Sequence, residues 1–400
     1  MTQSAPPAGE RPASPAPERP DAEPHRAHRI ALTLTGGGAR AAYQVGMLRS
    51  LARSHPQFRF DVITGVSAGA INASYLAANI DGLADAAEDL TTLWRNLEPA
   101  DVFRVDAGSL LVRTLGWGMR LLSGGTKLAP QPRGLVDSQP LRHLLRRVLG
   151  AAENGTIPGI ERNLAEGKLE AIALSTLDWA TGATITWVEG KDVRMWSRPQ
   201  RQSRSCKLTI DHVLASSSLP LIFPAVAVDG SWHGDGGVRL AFPLAPAIHL
   251  EADRIIAIST RHSAVGGRSP DIVGYPPPAQ FAGVLLNSIF LDQLDQDALR
   301  LERINHLLPF APAAARSGLR PVRIHIVRPS VDLGRLAARF EAKLPRTLRF
   351  LTRGLGTRET SSPDFLSLLM FQEDYVSALI EIGERDAEEQ AESILELVEA

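Results

Sequence analysis

Stretches of aliphatic and β-branched residues give way repeatedly along this chain to apolar residues at helical spacing. Residues 29–35, RIALTLT, predict a buried first strand, and in Ala41–Ser54 the positions Tyr43, Met47, Leu48 and Leu51 predict a helix after it. The run Phe60–Ala78, FDVITGVSAGAINASYLAA, makes the same step more sharply. Val62, Ile63 and Thr64 favour a strand by their branching, Gly65 and Gly69 remove side chains where the backbone must fold tightly, and Ala70–Ala78 are good helix formers. Further helices are predicted over 83–97, with Leu90, Leu93, Trp94 and Leu97 on one face and Pro99 ending the pattern, and from Pro140 to Val148, with Ser138 as cap. Leu169–Thr176 and Ala183–Val188 predict strands around the turn Thr181-Gly182, and Asp253–Thr260 and Val322–Arg328 two more. Single helices are predicted over Phe281–Ile304 and Phe365–Ile382, and Arg385–Ala400 is an acidic, exposed end. Strands alternating with helices predict an α/β fold with a mostly parallel central sheet.

Composition narrows this picture without redirecting it. The 400 residues are 44% hydrophobic and 22% charged with a formal net charge of −1, which excludes global disorder and any bulk attraction to nucleic acid. The single cysteine, Cys206, rules out an internal disulfide framework and fits a reducing compartment. Residues 1–28 are rich in Pro, Ala and charge with no apolar run, which predicts a disordered tail and no secretory signal. No stretch approaches the ~18 consecutive apolar residues of a spanning helix, so the expected location is the cytoplasm, with attachment to the inner face of the membrane open. Residues 101–132 mix leucines with Arg113, Arg120 and Lys127; they read either as an apolar lid or as core helix with solvated edges. In 334–356, Arg335, Arg339 and Lys343 recur every four residues, which suits either an anionic lipid surface or a solvated helix face. The basic stretch 194–207 reads as a solvated loop or a phosphate-binding patch. No spacing of His, Cys or acids suggests a metal, and no cofactor is implied.

Three stretches carry candidate chemistry. Gly65-Val66-Ser67-Ala68-Gly69 is G-x-S-x-G in the strand-turn-helix setting that presents a nucleophilic serine, although the same glycines would serve a merely tight turn. Gly36-Gly37-Gly38-Ala39-Arg40 sits at the preceding strand-to-helix junction, where backbone N–H groups suit negative charge. It also satisfies the dinucleotide fingerprint G-x-G-x-x-G/A with Asp61 downstream; against that reading, Asp61 opens the second strand where a ribose-binding acid should close it. Asp235, in Asp235-Gly236-Gly237, would by itself be read as a turn residue. The histidines His212, His233, His249, His262, His306 and His325 sit in no catalytic setting.

Taken in order, the glycine loop, the Ser67 elbow and Asp235-Gly236-Gly237 resemble the three signatures of the patatin-like phospholipases, supported by 134–145 (GLVDSQPLRHLL) and 215–224 (ASSSLPLIFP). The resemblance spans about residues 29–330 and leaves 331–400 as a C-terminal helical extension. Two departures are Ala41, where the family often has Gly, and His233-Gly234 before the Asp motif. The resemblance implies a three-layer α/β/α fold and a lipid acyl-ester substrate hydrolysed through a Ser-Asp dyad. Ser67 would be the nucleophile and Asp235 the general base. The loop Gly36, Gly37 and Gly38 would form the oxyanion hole, with donors from Gly37 and Gly38 and with Arg40 fixing the loop. Because an ordinary carboxylate is a weak base for serine, Asp235 would have to be buried and close to the hydroxyl.

Overall fold

The computed structural model describes residues 28–80, 82–104, 134–262, 275–290, 292–354, 356, 357 and 364–399. Among the described residues ten strands form one sheet: β1 (Ile30–Leu34), β2 (Val62–Val66), β3 (Ala171–Asp178), β4 (Thr184–Gly190), β5 (Ser197–Arg198), β6 (Arg201–Ser205), β7 (Val226–Val228), β8 (Ser231–Asp235), β9 (Arg254–Ile258) and β10 (Arg323–Val327). The order is β10-β9-β1-β2-β3-β4-β6-β5, with β8 on β3 and β7 on β8. The central run from β10 to β3 is parallel throughout, as the alternation of strands and helices predicts.

These strands are apolar on both faces because both faces are covered. Leu32, Leu34, Ile63, Ile172, Ile256 and Ile258 point into one core, while Ala31, Val62, Ala171, Ala173, Ile255 and Ala257 alternate into a second on the opposite side. Helices α1 (Ala42–Ser54), α2 (Ala68–Ala78) and α3 (Leu83–Arg95) belong to the first core. Helix Glu373–Glu389 crosses α1 backbone to backbone: a side chain at Gly46 would run into the Ile380 carbonyl, and one at Gly383 into that of Tyr43. Arg49 on α1 bridges Glu88 on α3 and Glu384 on this helix at 2.8 and 2.6 Å.

Several elements differ from expectation for local reasons. Ser138 precedes helix Gln139–Val148, but its side chain makes no capping bond. Pro99 begins a short helix, Pro99–Val102, in which Glu98 and Asp101 form a reciprocal capping box. The predicted helix over 281–304 is two, Pro278–Phe290 and Asp292–Leu307, and that over 365–382 is also two, Asp364–Leu369 and Glu373–Glu389, separated at residues 370–372. The stretch 194–207 contributes β5 and β6 to the sheet edge. The acidic end is an amphipathic helix, Ala391–Glu399, with Ile394 and Leu397 buried, and Asp386 before it is buried and accepts the Ser330 N–H at 2.9 Å. Of the segment 101–132, only Asp101–Arg104 lies within the described residues. No helix among the described residues is long and apolar enough to cross a membrane.

Candidate active site

Register on β3 brings the two candidate residues together. β2 pairs with β3 up to Val66 opposite Ser175, and β8 arrives antiparallel with Asp235 opposite the next residue, Thr176. β2 therefore releases Ser67 where β8 delivers Asp235, although 168 positions separate them in the chain.

Ser67 sits at the bend with φ 57° and ψ −134°, a backbone region that non-glycine residues avoid. The bend is tight on both sides. A Cβ on Gly65 would lie 2.7 Å from that of Ala73, and one on Gly69 would strike the carbonyls of Leu34 and Thr35 at the end of β1. The Ser67 N–H donates to Ser216 Oγ at 3.1 Å, and that hydroxyl donates in turn to the Ser175 carbonyl at 2.7 Å. Ser216, fully buried at the end of helix Ile210–Ser216, thus ties the elbow to β3. Ser216→Ala strands both groups in the interior; chemical denaturation should show a loss of about 1–3 kcal/mol. An unchanged unfolding midpoint would show that the tie contributes nothing.

Asp235 is completely buried. Its N–H donates to the Ser218 carbonyl at 2.9 Å, and its Oδ1 accepts from the Gly237 N–H at 2.8 Å. Gly236 must lack a side chain because β3 passes against it at the Ser175 carbonyl. The second carboxylate oxygen, Oδ2, has no hydrogen-bond partner among the described residues. Burial pushes the Asp235 pKa up from 3.8 to about 7, opposed by the neighbouring Ser67 hydroxyl and the Gly237 N–H. The hydroxyl is near enough to favour the charged form without a hydrogen bond of ordinary geometry, which is common before substrate tightens a site.

The glycine loop closes the other side. Gly36 accepts from Thr260 Oγ1 at 2.7 Å, and Gly38, at φ 55°, begins a short 3₁₀ turn leading into α1. The N–H groups of Gly37 and Gly38 donate to no group among the described residues, and both glycines line one cavity with Ser67 and Ala68. The rest of the lining is almost entirely apolar, including Ile71, Leu93, Trp94, Leu145, Phe223 and Leu369. The Arg40 guanidinium donates to Ser367 Oγ at 2.6 Å and to Asp364 Oδ1 at 2.6 Å. A buried chain from Gln44 through Asn72 to Trp94 Nε1 locks α1, α2 and α3 together behind the loop.

The structure disposes of the nucleotide reading. Asp61 lies at the start of β2, at the opposite end of the sheet from the glycines, and accepts the Ile30 N–H at 2.8 Å. No histidine hydrogen-bonds to Ser67 or Asp235 among the described residues; His233 is buried against Thr176 at 3.0 Å, and burial keeps its pKa low. Sequence reasoning missed Ser216, Ser218 and Thr260. The run of small residues at Ala215–Ser218 signals close packing, but nothing in it names the partner.

Residues 32–248 match the family model described as patatin-like phospholipase. Among solved structures the chain is similar to human GIVD cytosolic phospholipase A2 in complex with methyl gamma-linolenyl fluorophosphonate, at 12% identity and a TM-score of 0.44, covering 93% of this chain and 59% of that one. It is also similar to VipD from Legionella pneumophila (13%, TM-score 0.30, 89% and 67%) and to the type III effector protein ExoU (21%, TM-score 0.25, 48% and 40%). The chain thus spans less than two thirds of the length of the phospholipase A2 it resembles. No curated protein matches it.

Proposed function

Because this chain belongs to the patatin-like phospholipase family, we propose that it is a serine-dependent lipid acyl hydrolase of the phospholipase A or lysophospholipase type. The observation that carries this reading is the unpartnered Oδ2 of a buried aspartate beside a serine that is held on a bend and lines an apolar cavity. Ser67 Oγ attacks the acyl carbonyl as its proton passes to Asp235. The free N–H groups of Gly37 and Gly38, with the N-terminus of α2 behind Ser67, hold the oxyanion. Collapse of the tetrahedral intermediate returns that proton to the leaving alcohol and leaves the acyl group on Ser67. Water, deprotonated by Asp235, then attacks the acyl-enzyme, and that proton passes from Asp235 to Ser67 Oγ as the fatty acid leaves. A carboxylate raised to about 7 is better matched to this task than an ordinary one, since a base works best near the operating pH.

Contact with a lipid surface fits residues 334–356. On helix Arg346–Gly354, Leu348 is buried while Phe350 is 82% exposed, with Arg349 and Arg353 beside it. A catalytically silent lipid-binding protein is the alternative. Incubation with phospholipid and lysophospholipid vesicles separates the two: the hydrolase releases free fatty acid, whereas retention of lipid with no release over the blank would leave only the binding role.

A further inference from the structure

The glycine loop touches a part of the chain far beyond the family-matched residues 32–248. A side chain at Gly38 would collide with the Leu368 carbonyl, so the loop lies directly on helix Asp364–Leu369. Arg40, two residues on, is almost fully buried and is held by this helix through Ser367 Oγ, Asp364 Oδ1 and the Asp364 carbonyl at 2.6, 2.6 and 3.1 Å. Ser367 Oγ also donates to the Asp364 carbonyl at 2.6 Å, which fixes the acceptor geometry Arg40 meets.

From the same segment Leu368, Leu369 and Phe371 face the cavity that contains Ser67. Phe371 is braced from two directions: it stacks on Trp94 of α3 with centroids 6.3 Å apart and meets Phe103 edge-on at 6.2 Å. A braced aromatic wall does not yield to a ligand as a loose aliphatic one does. An apolar chain offers no hydrogen bonds by which to be recognised, so the length and shape of its cavity are what remain to discriminate.

We propose that Leu369 and Phe371 set the acyl-chain length this site accepts, the wall being held in fixed relation to the glycine loop by the Arg40–Asp364–Ser367 clamp. The proposal rests on the hydrolase reading above. The residues that discriminate substrates then lie in the C-terminal segment, outside the stretch that carries the nucleophile, the base and the oxyanion loop.

The test is a kcat/KM profile over p-nitrophenyl esters of about 4 to 16 carbons, for wild type, Phe371→Leu, Phe371→Ala and Leu369→Trp. Shortening Phe371 should move the optimum to longer chains, with the ratio of long to short esters changing about 10-fold, and Leu369→Trp should move it the other way. Phe371→Leu conserves most of the volume, so a shift remains readable if the alanine variant folds poorly. Active variants whose profiles all superimpose on that of the wild type overturn the proposal and leave the hydrolase reading intact. A wild type that neither turns over any ester nor reacts with a fluorophosphonate overturns both.

Discussion

Ser67→Ala abolishes covalent labelling by a fluorophosphonate probe and lowers ester hydrolysis by at least about 10⁴-fold, the loss expected when a nucleophile rather than a binding group is removed. The backbone at this position supplies a second, independent readout. At φ 57° the serine holds a conformation that costs a non-glycine residue about 1–3 kcal/mol. Ser67→Gly relieves that strain and should melt above wild type, while Ser67→Ala keeps it and should not. Both variants are inactive, so the pair separates the stability that the bend costs from the chemistry it enables. Labelling that persists in either variant would place the nucleophile elsewhere.

Asp235→Asn is the second large effect, an expected fall in kcat of about 10³-fold or more with the fold preserved. Its pH dependence has a fixed sign. The carboxyl titrates near 7 when folded and near 3.8 when exposed, so the folded state holds the proton more tightly. Stability supplied by the protonated group is complete below about 3.8 and is lost as pH rises to about 7. Asn cannot ionise, so the variant should gain in melting temperature relative to wild type as pH rises, with the gap widest above 7. Activity runs the other way: wild-type kcat/KM climbs through about pH 7 as the base form appears. A wild-type rate flat between pH 5 and 9, or a variant that keeps wild-type turnover, removes Asp235 from the reaction.

What the sequence made legible follows the range of the interactions involved. The elbow is a local object: two glycines two residues either side of Ser67, a β-branched run before and a helix-forming run after, each acting within a few residues. The glycine loop and the parallel sheet are legible for the same reason. Asp235 is not, because its place beside Ser67 comes from where β2 and β8 end along β3, and no spacing in the chain encodes that register. Its candidacy depended on family resemblance, and the geometry gives the physical account. Ser216 was visible only as one small residue among several. Leu369 and Phe371 carried the signature of any buried helix face, and an apolar residue reads the same whether it fills a core or walls a cavity.

The crossing of α1 by helix Glu373–Glu389 bears on how the molecule is assembled. The bonds that tie the glycine loop and α1 to the C-terminal helices join partners very far apart along the chain: 324 positions for Arg40 with Asp364 and 335 for Arg49 with Glu384. Closing so long a loop is entropically demanding and delays contact formation. β1, β2 and the serine bend can form from neighbouring segments, but the cavity gains its last wall only when the late helices return to the first one. The complete cavity around Ser67 is therefore expected to form late in folding, after the serine bend itself.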